Sequence, residues 1–282
     1  MFRRRTFVVL LLPLLCAFAS YAQTPAPSPT PSREPGFLKR SVTHGSNTMN
    51  YRVYIPRGYD PAKKYPVILY LHGGSAVGDD NEKQMGGLSL GSVIQLYSWR
   101  YPERYLSFIA VFPQTKNYWF GEAAEQAVKA LDQTVTEFNG DPNRLYLTGF
   151  SLGGYGSWYL GAKYPKEFAA IVPLSGGVIP PPGVPLAELK KFMPPEMSAL
   201  YEAPEPHAAI AKVLGKTPVW IFHGAKDNII TVTESRKMEA ALKAAGGNVT
   251  YTEYPEETHF IPDRVYTDAE FWKWLMAQRL AE

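Results

Sequence analysis

The sequence predicts an α/β fold, a mostly parallel sheet with helices on both faces. Two observations predict it. Short, largely apolar and β-rich runs recur at 67–71, 107–112, 144–149, 168–174 and 218–224. None shows the strict polar/apolar alternation of a half-solvated strand, so each suits a strand buried on both sides. Segments of helical character separate many of these runs, and strand alternating with helix is the signature of a parallel sheet.

The elements read in order as follows. Residues 37–44 and 49–55 alternate well enough for an antiparallel pair turned by Gly45, Ser46 and Asn47. The run at 67–71 is the first fully buried strand, and 107–112 the second. A helix is expected over 122–138, where Val128, Leu131, Val135 and Phe138 share one face, and Gly140 with Asp141-Pro142 stops it. The strand at 144–149 feeds a helix from 151 onward. Past the strand at 168–174 comes an insert, 176–208, with prolines at 180, 181, 182, 185, 194, 195, 204 and 206. It lies at the strand ends that carry the chemistry, so a proline-stiffened cap over the site is expected. A glycine-ended helix at 231–247, a strand at 249–254 and an amphipathic helix from 268 complete the chain.

The amino end is of another kind. Arg3, Arg4 and Arg5 precede an apolar run at 7–19, and Ala22 closes a small-residue site, so residues 1–22 read as a secretory signal, too short for a stable membrane span. Residues 23–36 form a proline-rich tether, and 37–282 the folded domain. Removing the signal takes Lys+Arg from 29 to 26 against 26 Asp+Glu, so no excess of positive charge points to nucleic acid. It also removes Cys16, the one cysteine, leaving the exported form without a disulfide. Export to the periplasm or the medium is the expectation.

In an open parallel sheet the chemistry gathers beyond the carboxyl ends of the strands. There lies Gly149-Phe150-Ser151-Leu152-Gly153, a G-x-S-x-G pentapeptide between a strand and a helix. The turn thrusts the serine oxygen outward, and bulk on either side would collide with the strand or the helix. A second copy, Gly87-Leu88-Ser89-Leu90-Gly91, has no strand before it, which leaves Ser89 as a loop or helix-start residue. A serine hydroxyl needs a base, and the base an orienting carboxylate. Asp227 follows the strand at 218–224, and His259 follows the last strand. His44, His72, His207 and His223 are poorer bases by position, His72 and His223 each bracing a loop ahead of a glycine. Two backbone N–H groups should hold the oxyanion, those of Leu152 and Gly74, with Ser75 as the register alternative. Trp119, after the second buried strand, is expected to wall the substrate pocket. Histidines at metal-ligand spacing are absent from the sequence, which disfavours a metal site.

Residues 52–74, 78–84, 141–158, 222–238 and 245–255 together resemble the secreted phospholipase/carboxylesterase-like α/β-hydrolases, which include predicted peptidases and polyhydroxybutyrate-depolymerase-like and feruloyl-type esterases. The resemblance runs from about residue 50 to the end. It implies the α/β-hydrolase fold, Ser151 as nucleophile, Asp227 as acid, His259 as base, and no cofactor. Two features depart from the family pattern: Thr258 and Phe260 flank the histidine, and the 176–208 insert is long. The expected activity is hydrolysis of a small-molecule or polymer-linked carboxylic ester through an acyl-enzyme. A serine peptidase on the same fold and a non-catalytic module binding polysaccharide or cell wall are the alternatives. Acyl specificity and oligomeric state are not encoded in any motif.

Overall fold

In strands buried on both faces, successive side chains must satisfy two cores at once, and this sheet does so residue by residue. The computed structural model describes residues 36–100, 107–180 and 183–280, which belong to one unit. The signal and nearly all of the tether lie outside the described residues.

The strands are β1 (Gly36–His44), β2 (Asn47–Ile55), β3 (Tyr65–Leu71), β4 (Ile109–Pro113), β5 (Gly140–Phe150), β6 (Ala170–Leu174), β7 (Val219–Gly224) and β8 (Val249–Tyr254). They form one sheet in the order β1-β2-β4-β3-β5-β6-β7-β8. β1 and β2 pair antiparallel, as does β2 with β4, and every pairing from β4 to β8 is parallel.

The helices are α1 (Leu90–Arg100), α2 (Glu122–Glu137), α3 (Leu152–Lys163), α4 (Leu186–Lys190), α5 (Pro195–Tyr201), α6 (Pro206–Leu214), α7 (Thr233–Ala244), α8 (Pro262–Tyr266) and α9 (Ala269–Ala277). Val67, Leu69, Leu71, Leu145, Leu147 and Ile221 enter one core with α2, α3, α6 and α7. Their neighbours Ile68, Tyr70, Tyr146 and Phe222 enter the other, with α1, α8 and α9. Helices therefore cover both faces, as the sequence predicts for an α/β-hydrolase fold. Among the described residues no helix is long and apolar enough to cross a membrane.

Two outcomes depart from the sequence reading. β5 begins at Gly140, so the Gly140-Asp141-Pro142 stretch that ends α2 is already in the next strand. The 176–208 insert packs largely into the core, with Phe192 left exposed beside Gln114 and Tyr118. It folds into α4, α5 and the start of α6, and buries Leu189, Met193, Met197 and Tyr201 in the α2/α3 core. Tyr201 packs edge-on against Phe120 and lies 6.3 Å from the Tyr159 ring. None of its described residues lines the cleft beside Ser151. The reason is its composition: four large apolar side chains, each four residues after the last, gain more by entering an existing core than by facing water.

Met197 is 2% exposed. Met197→Ala should therefore lower stability by about 2–5 kcal/mol in urea unfolding. A loss below about 0.5 kcal/mol would mean that the insert does not share the core.

Candidate active site

The site is assembled from loops that leave the carboxyl ends of the parallel strands β3, β4, β5, β7 and β8. β5 delivers Ser151 directly after Phe150, with φ 55° and ψ −114°. Few L-residues adopt such a backbone, and here it is held from both sides. The Ser151 N–H donates to the Leu174 carbonyl at 2.9 Å, and the Ser151 carbonyl accepts from Tyr155 N–H at 3.1 Å. The two flanking glycines are sterically required. A Cβ on Gly153 would sit 1.9 Å from the Leu71 carbonyl oxygen, and one on Gly149 would sit 2.3 Å from the Gly153 carbonyl oxygen. The turn is thus wedged between β3, β5 and α3.

The serine, histidine and aspartate read from the sequence are brought into one line of hydrogen bonds. Ser151 Oγ lies 2.8 Å from His259 Nε2, and His259 Nδ1 lies 2.6 Å from Asp227 Oδ2. Only Ser151 is even half-open to the cleft; His259 is 3% exposed and the Asp227 side chain is fully buried. Asp227 Oδ1 accepts the N–H groups of Ile229 and Ile230, each at 2.8 Å. Burial alone would push the Asp227 carboxyl up. The hydrogen bonds from His223, His259 and the Ile230 and Ile229 amides outweigh it and hold the group well below the usual carboxylate range.

Two backbone bonds fasten the aspartate loop to the histidine loop: Ala225 N–H to the Tyr254 carbonyl, and Lys226 N–H to the Glu257 carbonyl, both at 2.9 Å. Gly224 makes this approach possible, since a Cβ there would stand 2.0 Å from the Thr258 carbonyl oxygen. The aromatic Phe260, unusual beside the histidine, is half in water and packs edge-on to the His259 ring at 5.4 Å. Phe150 lies against the same ring at 4.9 Å and within 6.2 Å of Phe260, so the three rings form one aromatic cluster.

Gly74 and Leu152 line the same cleft as Ser151, whereas Ser75 lines a separate hollow with Ala76 and Gln84. That lining favours Gly74 over its register alternative. The loop carrying Gly74 is pinned by His72, which is buried. Its Nδ1 faces the Gly73 carbonyl at 2.8 Å and its Nε2 receives the Thr115 N–H at 3.1 Å. Accepting at Nε2 leaves the proton on Nδ1, and burial pushes the imidazole down to about 4 despite the pull of the Gly73 carbonyl. His72 is therefore a neutral brace at ordinary pH.

Trp119 must be reassigned. It has no exposed surface, its indole N–H donates to the His72 carbonyl at 3.0 Å, and its ring packs edge-on to His72. It supports the Gly73–Gly74 loop from beneath and does not touch the cleft. Its neighbour Tyr118 lines the cleft instead. One residue of register separates wall from support, and the apolar string Tyr118-Trp119-Phe120 carries no alternation from which to read that register. Tyr155 also lines the cleft, as do Ile229 and Ile230. His223 does more than brace its loop: it contacts Asp227 itself.

The open cleft has a volume of about 390 Å³. A second hollow of about 260 Å³ adjoins it, the two sharing Lys116, Asn117 and Tyr118. The second is the more polar, with Asn47, Asn50, Gln114 and Gln126 in its wall.

Known proteins resemble this chain in both sequence and fold. It is 24% identical over 266 residues to dipeptidyl-peptidase 5 of Porphyromonas endodontalis, covering 83% of this chain and 36% of that one. It is 27% identical over 252 residues to feruloyl esterase B of Neurospora crassa, covering 82% of this chain and 80% of that one. An uncharacterized secreted protein of Arthroderma benhamiae is 26% identical over 229 residues, 71% of this chain and 22% of the relative. The chain thus spans about a third or less of the length of the peptidase and the secreted protein. A thermostable esterase of known structure superposes with a TM-score of 0.66 at 26% identity, over 86% of this chain and 63% of its own. The model of the prolyl oligopeptidase family matches residues 114–279, more than half of the chain and the whole stretch from Gln114 through Ser151, Asp227 and His259. With that match and this sheet order, the chain belongs to the prolyl oligopeptidase family of α/β serine hydrolases.

Proposed function

We propose that the protein is an exported serine esterase that cleaves carboxylic esters through an acyl-enzyme. The observation that carries the reading is the unbroken line from Ser151 Oγ through His259 to Asp227 at the floor of an open cleft. His259 Nε2 takes the proton as Ser151 Oγ attacks the ester carbon, and the N–H groups of Leu152 and Gly74 receive the oxyanion. The imidazolium then returns its proton to the departing alcohol. Water, deprotonated by His259, releases the acid and frees Ser151. Asp227 stays charged throughout, keeps the His259 proton on Nδ1 and stabilises the imidazolium. No cofactor enters any of these steps.

The two adjoining hollows support an ester whose halves differ. Leu152, Val77, Ile229 and Ile230 give the cleft at Ser151 apolar walls, and its volume accommodates an aromatic acyl group such as the named feruloyl esterases take. The carboxamide-rich hollow suits a hydroxyl-bearing alcohol, free or polymer-linked. The signal-like residues 1–22 and the secreted relative support export. Cleavage of peptides is the second reading, favoured by the dipeptidyl-peptidase relatives of the same family. The dipeptidyl-peptidase match falls within a chain much longer than this one.

Ser151→Ala should lower hydrolysis of a p-nitrophenyl ester by roughly 10⁴-fold or more, with the thermal melt unchanged. Unaltered turnover would remove Ser151 from its role. With one purified sample, feruloyl and butyryl esters should be hydrolysed far faster than a dipeptidyl-anilide; the reverse ranking would establish the peptidase.

The depressed Asp227 carboxyl carries a pH signature. Its folded pKa lies below the unfolded value of about 3.9, so it stabilises the fold fully above that value and loses the contribution as pH falls toward the folded pKa. Asp227→Asn should therefore melt at a lower temperature than the parent near pH 7 and show a shallower loss below about pH 5. Parallel melting curves at all pH values would contradict the assignment.

A further inference from the structure

His223, the penultimate residue of β7, has no exposed surface, stands four positions before Asp227, and is left unused by the reaction above. Its Nε2 lies 3.0 Å from Asp227 Oδ2 and 3.0 Å from the Ile230 carbonyl oxygen. A carboxylate and a carbonyl only accept, so Nε2 carries a proton and donates it to both. The opposite nitrogen, Nδ1, lies 2.7 Å from the Ser235 hydroxyl on α7. The ring is therefore fixed at both edges. On its far side, Asp227 Oδ2 takes the second imidazole N–H, that of His259, at 2.6 Å.

One carboxylate oxygen is thus clamped between two imidazoles, while the other is held by two amides. The amides at Ile229 and Ile230 belong to the same loop as Asp227 and move with it. His223 instead sits on β7, a strand flanked by β6 and β8, and gives the carboxylate a reference outside its own loop. The charged and titratable groups around this pocket are few. Glu253 stands opposite His223 on β8 and is paired with Arg236 of α7, and Tyr155 approaches Asp227 from α3.

We propose that His223 is a positioning residue for the Ser151 site, its Nε2–H fixing the Asp227 carboxylate in the orientation that His259 requires. This deepens the ester-hydrolase reading and rests on it for the kinetic arm of its test. Removing the donor has two consequences. The carboxylate gains rotational freedom, which lowers turnover, while Ile230 of the cleft wall loses one carbonyl bond and keeps its N–H bond to Asp227. Oδ2 also loses a partner that shares its negative charge, so it holds the His259 proton more tightly.

His223→Leu removes the donor, and His223→Gln places a side-chain N–H in the same reach. In His223→Leu, kcat should fall about 10- to 100-fold with KM within about twofold, since the loss falls chiefly on alignment of the carboxylate. The acid limb of kcat/KM against pH should move to higher pH, and the low-field proton resonance of His259 Nδ1–H should shift or broaden. His223→Gln should recover most of the rate and return both the limb and the resonance. A folded His223→Leu with parental kcat and acid limb overturns the proposal, as does a rate loss with an unmoved limb that His223→Gln does not recover. If His223→Leu fails to fold, Ser235→Ala carries the test. It should shift the limb and the resonance the same way by a smaller amount, and parental behaviour in both overturns the proposal. Should the parent hydrolyse no ester at all, the reaction assignment fails by itself. The resonance alone then decides His223, and an identical signal in parent and His223→Leu overturns its role.

Discussion

The backbone turn at Ser151 is the constraint on which the rest of the site depends. A serine at φ 55° is held against its own preference, at a cost on the order of 1–3 kcal/mol. The close approach of α3 to β3, where Gly153 meets the Leu71 carbonyl, leaves the chain no room to relax. The cores above and below β3 and β5 keep those strands in register, and so supply the rigidity that the turn consumes. The reward is an Oγ that projects toward His259 instead of packing into the helix.

The base and the acid are positioned by a different device. Their two loops leave adjacent strands, β7 and β8, and are stitched together by backbone hydrogen bonds over Gly224. Asp227 and His259 thereby behave as one piece, docked under Phe150 and Phe260. A buried carboxylate with four donors also keeps its charge where an isolated one would not, and that charge is what an imidazolium intermediate needs. His72 and Trp119 perform the matching service for the Gly73–Gly74 loop without titrating at ordinary pH.

Much of this was legible in the sequence, and for physical reasons. Short, largely apolar and β-rich runs suit strands with two covered faces, and G-x-S-x-G between such a strand and a helix has few other uses. Chain order and strand ends were enough to single out Asp227 and His259. The failures are equally instructive. A proline-rich insert gives no sign of which surface it will adhere to, and Met193, Met197 and Tyr201 pack it into the core while Phe192 lines the hollow adjoining the cleft. Trp119 and Tyr118 are adjacent aromatics in a loop, where no period tells inward from outward. His223 went unassigned because a histidine before a glycine at a strand end reads as a loop brace. Its contact with Asp227 depends on a turn of the chain that spacing alone does not reveal.

The account stands most directly on the structure of the enzyme after reaction with a phosphonate ester. It predicts phosphorus bonded to Ser151 Oγ, with one phosphoryl oxygen about 2.7–3.1 Å from the N–H groups of both Leu152 and Gly74. An unmodified Ser151, or an adduct whose oxygen points away from those amides, would contradict it.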